Sequence, residues 1–358
     1  MWLRHFLPVR ALLPHLLAWI DRQEPFALAT VVAVTGSAPR RPGSCLLVSA
    51  DGERFAGSVS SGCLELEVVA AAHEVLRTGG VRRLRFGPDG QPPWRDGLTC
   101  GGWIEVRIEP WWGCDARVEV QPIAALVRGW LERDESGVVL SNDRGHLAFA
   151  ANGPTVGDAT AFPLEHVDQA RTRLAAEAPP AELAATAGVT FCRTLLRRPH
   201  LFIVGAVDVA AHLVAVARES GFSTTLVDPR QPYVAAERFP CAPDRLLRAW
   251  PQAVIAGAAL GPRDAAVVLT HDPKIDDVAL LALLETRTGY IGALGSQRSH
   301  ATRLERLRAA GASDASLARI HGPAGIHLGT GDAVGIALGI LAGIVQGQAS
   351  AGRPATLP

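Results

Sequence analysis

The pattern of apolar and polar positions divides the chain into parts of different character. Residues 26–34 form an unbroken apolar run rich in alanine and valine, which predicts a buried strand. Further along, Asp51-Gly52 stands between two short apolar runs, as in a hairpin with a two-residue turn. These elements predict an N-terminal α+β domain over residues 1–114. The other elements predicted in it are Leu7–Asp21, Leu46–Ser49, Phe55–Val59, Leu64–Arg77 and Trp103–Glu109.

From residue 200 onward, short apolar runs alternate with helical stretches. The runs are mainly apolar, as expected for strands that are buried on both faces of a parallel sheet. This alternation predicts an α/β fold, with a Rossmann-like doubly wound parallel sheet over residues 198–348 and a flexible tail at 349–358. The predicted strands are Leu201–Val204, Thr224–Val227, Ala265–Leu269 and Tyr290–Leu294.

Residues 115–197 carry a weaker pattern. A helix is predicted near Pro122–Glu132, followed by the two strands of a hairpin and by an Ala/Pro/Glu-rich stretch at 175–187. We interpret this segment as a connecting region with partial structure, and we assign no chemistry to it.

Composition then excludes whole classes of function. The 35 basic residues balance 35 acidic ones, which removes the usual electrostatic argument for a protein that binds nucleic acid or an anionic membrane. No apolar run reaches the roughly 18 residues that a membrane span requires. The six cysteines form no C-x-x-C pair and no zinc-finger spacing, so we predict reduced thiols in a cytoplasmic protein.

The clearest ligand-binding motif lies between a predicted strand and a predicted helix of the Rossmann-like domain. Gly205-Ala-Val-Asp-Val-Ala210 occupies the place of G-x-G-x-x-G/A, whose glycines let the backbone approach a pyrophosphate. Val207 replaces the middle glycine, and a β-branched side chain there obstructs a diphosphate. The motif therefore supports the fold more strongly than it supports NAD(P) binding, although Asp228 lies 23 residues on, where a ribose-binding acid belongs.

Loops that follow the other parallel strands are expected at the same edge of the sheet, where ligands bind in such folds. A Gly-Ser turn beside an arginine can form an anion-binding nest. His271 and Asp272 have the alternative interpretation of a helix cap. The candidate residues of this edge are Gly205, Asp228, Arg230, His271, Gly295, Ser296 and Arg298.

Two N-terminal segments, Thr35–Arg40 and Gly57–Glu65, are dense in glycine, serine and threonine. Cys63 precedes a predicted helix, and the dipole at a helix N-terminus favours a thiolate, which is a nucleophile and a ligand for soft metals. Cys100 is followed by two glycines, which permit close approach of a ligand. The alternative interpretation is that both cysteines are buried and inert.

Seven segments together resemble the XdhC/CoxI family, the accessory proteins of xanthine dehydrogenase and related molybdenum hydroxylases. Their number and order carry the resemblance, which covers both ends of the chain, whereas residues 115–197 contribute little. The segments are ATVVAVTGSAPRRPG (29–43), GSVSSGCLE (57–65), CGG (100–102), VDPR (227–230), LTHDP (269–273), YIGALGSQRS (290–299) and HGPAGIHLG (321–329).

The resemblance implies a protein that binds the molybdopterin form of the molybdenum cofactor and holds it while a cysteine desulfurase replaces an oxo ligand by sulfur. It also implies transfer of the cofactor to a xanthine dehydrogenase-like molybdenum hydroxylase, a homodimer, and no catalysis by the chain itself. Cys63 and Cys100 are then candidate molybdenum contacts. The other candidate cofactor-binding residues of this end are Ser37, Arg40, Gly62, Glu65 and Gly101.

The C-terminal part departs from the family pattern. The family usually has G-A-G-H where this chain has Gly205-Ala-Val-Asp208, and Gly335 and Gly343 replace acidic residues of the last helix. A different class of function therefore stays open beside the cofactor chaperone. It is an NAD(P)-dependent Rossmann oxidoreductase, or a thiol-dependent enzyme acting through Cys63.

Overall fold

The N-terminal half of the molecule is built on antiparallel sheets and the C-terminal half on a parallel one. A computed structural model describes residues 3–87, 101–112, 120–185 and 188–351. The chain divides into two compact units, His5–Arg197 and Arg198–Pro358, with Met1–Arg4 grouped with the second.

The first seven elements form one antiparallel sheet, sheet A, and two helices. They are α1 (Leu3–Asp21), β1 (Phe26–Thr35), β2 (Cys45–Ser49), β3 (Phe55–Gly57), α2 (Glu65–Thr78), β4 (Arg82–Phe86) and β5 (Trp103–Trp112). The strand order is β3-β2-β1-β5-β4. Because successive residues of a strand point to opposite faces, Ala27 and Ala29 pack with α2, whereas Phe26 and Leu28 pack with α1.

The hairpin predicted around Asp51-Gly52 is present with a longer connection. Five residues, 50–54, join β2 to β3 instead of two. Of these five, Gly52 alone has a positive φ, at +71°. A two-residue turn of type I′ needs positive φ at both positions, so this turn has a different geometry.

Residues 137–195 form a second antiparallel sheet, sheet B, where the sequence predicted a connecting region with partial structure. The elements are α3 (Val120–Glu132), β6 (Gly137–Ser141), β7 (His146–Ala150), β8 (Thr155–Gly157), α4 (Leu164–Ala175), β9 (Ala181–Ala185) and β10 (Gly188–Leu195). The strand order is β8-β7-β6-β10-β9. Val138 packs towards α4, whereas Val139 faces the core that contains α1 and α3. Four of the five strands have at most five residues, too few for their alternation to stand out in the sequence.

A buried polar network joins the two sheets. Arg107 and Glu109 of β5 form an ion pair with 2.5 Å between Nη1 and Oε2. His146 Nε2 of β7 lies 3.0 Å from the same Glu109 oxygen. Removing one partner would leave a buried charge uncompensated, so the network favours one pairing of the sheets. Arg193 of β10 extends the network into sheet A by donating to Thr30 Oγ1 (2.6 Å) and Cys45 Sγ (3.4 Å).

The C-terminal unit has the predicted Rossmann-like fold. Its elements are β11 (His200–Val204), α5 (Asp208–Glu219), β12 (Ser223–Val227), β13 (Arg245–Leu247), α6 (Pro251–Ile255), β14 (Ala265–Val268), α7 (Pro273–Leu284), β15 (Tyr290–Ala293), α8 (Gln297–Ala309), α9 (Asp314–Leu317), β16 (Ile320–His321) and α10 (Ala333–Ala351). The six strands are parallel in the order β13-β12-β11-β14-β15-β16. α5 and α10 cover one face, and α6, α7 and α8 cover the other. The order reverses between β11 and β14, and the crevice beside such a reversal is where ligands bind in this fold.

Glycines of α10 allow a loop to lie close against the helix. A Cβ on Gly339 would lie 2.4 Å from the Ile326 carbonyl oxygen, and one on Gly343 would lie 2.5 Å from the Gly325 Cα. The four-residue glycine spacing therefore serves packing within the unit. Within the described ranges, no helix combines the length and the apolar character that crossing a lipid bilayer demands.

Candidate functional site

Three N-terminal loops emerge from one end of sheet A, which we call the motif edge. β1 ends beside the start of β5, since Thr35 pairs with Trp103, and β3 ends beside the start of β2, since Gly57 pairs with Leu46. The four strands concerned span roughly 15 Å from side to side, at about 4.8 Å per neighbouring pair, and β1 continues for five residues beyond Thr30, the partner of Cys45, before it ends at Thr35. The loops of the motif edge are residues 36–44, 58–64 and 101–102.

Two of these loops touch through their backbones. A Cβ on Gly102 would lie 2.1 Å from the Ser37 carbonyl oxygen, and one on Gly36 would lie 3.3 Å from the Gly102 Cα. A side chain at position 102 would therefore push the loops apart. The T-G-S-A-P segment and the two glycines of C-G-G thus lie in contact, while Cys100 falls outside the described residues.

The carboxylate of Glu65 organises the loop that carries Cys63. Its two oxygens accept three hydrogen bonds each, which takes up the acceptor capacity of a carboxylate. The donors are Ser58 Oγ (2.7 Å), Val59 N (3.2 Å) and Ser60 N (3.0 Å) to Oε1, and Ser60 Oγ, Gly62 N (2.8 Å) and Leu64 N (3.2 Å) to Oε2.

This environment keeps Glu65 ionised. Burial alone would raise the pKa of the carboxyl, but the hydrogen bonds from Ser60, Ser58 and the loop backbone outweigh burial and lower the pKa to about 2. We predicted Glu65 as a cofactor-binding residue. The geometry instead gives its carboxylate the task of shaping the loop, so the acceptors of this side chain are not free for a ligand.

Cys63 is exposed directly before α2. Ser61 and Gly62 have φ of +66° and +112°, so two successive residues adopt a left-handed backbone in front of the thiol. Within the described part of the chain, a Cβ on Gly62 or Gly101 would meet no atom within 4 Å. The motif edge therefore offers a ligand an accessible thiol and two open stretches of backbone. The alternative of a buried, inert thiol does not hold for Cys63.

Arg40 adds a cationic group to the loop after β1. Its Nε atom is buried and has no hydrogen-bond partner among the residues that the structure describes. An unsatisfied buried donor costs about 1–3 kcal/mol, so an acceptor from a bound molecule would stabilise this arginine. Ser37 is exposed in the same loop.

At the parallel sheet, the predicted ribose-binding acid is used within the protein. Asp228 is fully buried and accepts hydrogen bonds from Ala206 N (2.9 Å) and from N, Nε and Nη2 of Arg230 (2.9, 2.9 and 2.7 Å). Burial would raise the pKa of this carboxyl, but the bonds from Arg230 and Ala206 outweigh burial and lower it. Asp228 thus holds the turn after β11. Val207 packs against the apolar core of the unit and leaves no glycine for close approach of a diphosphate.

Gly205 shows why the first glycine of the degenerate motif is present. Its φ is +102°, and a Cβ there would lie 2.5 Å from Thr270 Cγ2. Glycine therefore lets the loops after β11 and β14 pack together at the point where the strand order reverses. That role is structural, whatever the unit binds.

The loops after β14 and β15 cap helices. Asp272 accepts a hydrogen bond from the α7 backbone at 3.0 Å, which confirms the capping interpretation for this residue. Ser296 exchanges hydrogen bonds with Ser299 in a capping box at the start of α8. His271 (φ +62°) and Arg298 are exposed at this edge, and Gly295 has a φ of +140°.

A buried ion pair behind these loops was not predicted. Arg303 lies 3.5 Å from Asp276 and donates to the Leu294 carbonyl oxygen at 2.8 Å, while Thr270 Oγ1 donates to Asp276 at 2.5 Å. The pair ties the loop after β14 to the loop after β15. Asp276 stands in the first turn of α7, where an acid is expected because it complements the helix dipole. Its residue type and position therefore gave no indication that the side chain is buried. In the described ranges, no cluster of three or more His, Cys, Asp or Glu residues could hold a metal ion.

Comparison with known families extends these observations. The profile of the XdhC and CoxI family matches residues 19–87, which include the two loops after β1 and β3. The profile of the XdhC Rossmann domain matches residues 201–344, which include the loops after the parallel strands.

Individual relatives match over most of the chain. The chain is 28% identical over 333 residues to a probable xanthine dehydrogenase subunit of Bacillus subtilis, a match that covers 92% of this chain and 95% of that protein. It is 25% identical over 320 residues to the molybdenum cofactor insertion chaperone PaoD of Escherichia coli, a match that covers 89% and 82%. A crystal structure described as a xanthine dehydrogenase from Bacillus halodurans shares the fold, with a TM-score of 0.72 at 23% identity over 97% of this chain and 98% of that one. The chain belongs to the XdhC and CoxI family, as its motifs predicted.

Proposed function

We propose that the chain binds the molybdenum cofactor at the motif edge and delivers it to a molybdenum hydroxylase of the xanthine dehydrogenase type. The observation that carries this proposal is an exposed thiol, Cys63, beside the open backbone of Gly62, in a loop that leaves the same end of sheet A as the loops of Ser37 and Gly101. The names of two relatives, a cofactor insertion chaperone and a probable xanthine dehydrogenase subunit, support it.

The chemistry of the motif edge suits this cargo. The cofactor carries a sulfur-bound metal, a pterin and a phosphate. Cysteine sulfur, which Cys63 exposes at this edge, is the ligand type that soft metal centres accept. Backbone N–H groups of Gly/Ser loops and a guanidinium such as that of Arg40 bind phosphate. An exposed thiol also gives a contact that a recipient enzyme can displace, as delivery requires.

The remaining parts of the proposal extend this role. The held cofactor receives its sulfur from a cysteine desulfurase, Cys100 supplies a second thiol, and the chain acts as a homodimer in the cytoplasm. Membership of the family supports each of these parts. The NAD(P) alternative receives no support from the turn after β11, because Asp228 is bound by Arg230.

Cofactor retention tests the proposal. Purified chain is incubated with molybdenum cofactor, passed through gel filtration, and assayed for bound pterin by fluorescence after oxidation. We expect Cys63→Ser to retain at most about a tenth of the wild-type amount, equivalent to about 1.4 kcal/mol. Cys241→Ser, which changes a half-buried thiol of the other unit, is the control and should retain the wild-type amount. Equal retention by Cys63→Ser and wild type would refute the role of this thiol.

A parallel titration with NADH separates the chaperone from the oxidoreductase. The wild-type chain should show no saturable change in NADH fluorescence. Saturable NADH binding together with no retained molybdenum cofactor would favour the enzyme over the chaperone.

A further inference from the structure

Sheets A and B repeat one topology. The first module runs α1-β1-β2-β3-α2-β4-β5 and the second runs α3-β6-β7-β8-α4-β9-β10, so each has a helix, three strands, a helix and two strands. Counted from the first strand of each module, both sheets have the order 3-2-1-5-4. Equal connectivity and equal order in two consecutive segments indicate an internal repeat.

The strand register supports the repeat residue by residue. Gly57 ends β3 and Gly157 ends β8, with φ of +95° and +107°. A Cβ on Gly57 would lie 2.3 Å from the Cys45 carbonyl oxygen, and one on Gly157 would lie 2.2 Å from the His146 carbonyl oxygen. The same steric constraint thus acts at the same place in both modules. The equivalent register pairs are Thr30–Cys45 and Leu46–Gly57 in sheet A, and Ser141–His146 and Leu147–Gly157 in sheet B.

The buried network follows the same equivalence. Glu109 pairs with Leu28 in β1 and Arg193 pairs with Val139 in β6, which makes Glu109 and Arg193 equivalent positions. Glu109 contacts His146, and Arg193 contacts Cys45. β5 of the first module therefore contacts the first residue of β7 in the second module, and β10 of the second module contacts the first residue of β2 in the first. Reciprocal contacts of this kind define a two-fold relation between the modules.

A cavity lies where sheet B repeats the motif edge. Its volume is about 310 Å³, and it is lined by the loop between β6 and β7, the loop between β8 and α4, and the start of β10. The motif edge of sheet A is made by the same three parts of the first module. The lining segments, which we call the second pocket, are residues 142–144, 160–163 and 188–190.

The second pocket has a cationic side chain at its lining but no thiol. Pro163 stands six residues after Gly157, where Cys63 stands six residues after Gly57, so this pocket has no ligand for a soft metal. Arg144 is exposed at the lining and forms no ion pair within the described residues.

Two acids lie in the loops that form the second pocket. Asp143 Oδ1 lies 3.8 Å from Arg107 Nη2, and Asp158 accepts hydrogen bonds from the backbone and hydroxyl of Thr160 (2.8 and 2.6 Å). The guanidinium of Arg144 is the exposed cation at the lining. A planar guanidinium presents paired donors to carboxylate or phosphate oxygens.

We infer that the second pocket is a binding site for a small organic oxyanion, either a phosphate monoester or a carboxylate, anchored by Arg144. At about 30 Å³ per water molecule, 310 Å³ equals about ten waters, which is room for an organic group beyond the oxyanion itself. The inference rests on the repeat and the cavity, and it stands whether or not the motif edge binds the molybdenum cofactor.

Calorimetric titration of the whole chain tests the inference with adenosine monophosphate as the phosphate probe and citrate as the carboxylate probe. We expect one of the two to bind and adenosine, which lacks the oxyanion, not to bind. Arg144→Gln should weaken binding at least tenfold, and Val189→Trp, which fills the lining with a large side chain, should abolish it. Arg77→Gln, on the exposed side of α2, is the matched control and should bind as wild type does.

The titration has clear outcomes against the inference. Failure of both oxyanions to bind overturns it. So does binding that survives both Arg144→Gln and Val189→Trp, or adenosine binding as tightly as its monophosphate. Cys63→Ser should leave oxyanion binding intact, so a failure here is distinguishable from a failure of cofactor retention.

Discussion

The carboxylate of Glu65 should contribute measurably to the stability of the N-terminal unit, and Glu65→Gln tests this. The pKa falls from an ordinary value of 4.5 to about 2, and each pKa unit is worth about 1.4 kcal/mol. The ionised side chain therefore contributes about 3 kcal/mol at neutral pH. A glutamine would also bring an NH₂ group into a place where six donors already converge, so we expect a loss at least this large.

The sign of the pH dependence follows from the lowered pKa. The contribution is complete above pH 4.5, where the unfolded carboxyl is also ionised, and it is lost as the pH falls towards 2. The difference between wild type and Glu65→Gln should therefore be about 3 kcal/mol at pH 7 and shrink steadily below pH 4.5.

Urea unfolding followed by tryptophan emission measures this difference. Six of the eight tryptophans lie in His5–Arg197, so a background with both Trp2→Phe and Trp250→Phe confines the signal to the N-terminal unit. Glu67→Gln removes the same charge from the same helical turn and is the control, expected to change stability by no more than about 0.5 kcal/mol. The reasoning fails if Glu65→Gln and Glu67→Gln unfold alike at pH 7, or if the deficit of Glu65→Gln is as large at pH 3 as at pH 7.

Three shorter predictions concern other positions. Ser61→Gly should raise the free energy of unfolding by about 0.5–1 kcal/mol. The strain that a left-handed φ imposes on serine exceeds the stability lost when glycine increases the conformational entropy of the unfolded chain. A lower urea midpoint for the variant would contradict this. Glu109→Gln should lower stability by about 3–5 kcal/mol, because Arg107 is left as a buried, uncompensated charge, and a loss under about 1 kcal/mol would show that the network is dispensable. Val207→Gly should not create NADH binding, since Asp228 remains bound by Arg230, and saturable NADH fluorescence in this variant would count against that explanation.

The parts of the fold with a strong local pattern were predictable. Of the four central strands of the parallel sheet, β11, β14 and β15 are mainly apolar because both faces are covered by helices, and the sequence shows this directly. The end of α2 was equally clear. Gly79 adopts φ +78° and its N–H donates to the Val75 carbonyl oxygen, as a glycine after a helix predicts.

Sheet B shows where the pattern is insufficient. β9 has the sequence Ala-Glu-Leu-Ala-Ala, which contains no β-branched or aromatic residue and is more typical of a helix. It is a strand because it pairs with β10, whose Phe191 and Cys192 are buried. Such pairing depends on tertiary contacts, which the strand propensity of a short segment does not reflect.

The sequence did not predict how the protein uses the acids of the candidate site. The glycine-rich loop before Glu65 and the loop that begins at Asp228 indicated binding regions, and a carboxylate in such a loop suggests contact with a ligand. Both carboxylates instead accept hydrogen bonds from groups within the protein. Residue types alone do not decide whether such a carboxylate bonds to the protein or to a ligand. Cys63, which has no such internal use, stays available.

The reciprocal contacts between the sheets have a consequence for fragments of the N-terminal unit. A polypeptide that stops before β6 lacks His146 beside Glu109, and one that starts at α3 lacks the Cys45 sulfur beside Arg193. Each fragment also exposes the apolar face that the other half covers. The two halves, separated by a break in the segment between β5 and α3, should therefore form a stable complex when they are produced together. Either half produced alone should aggregate.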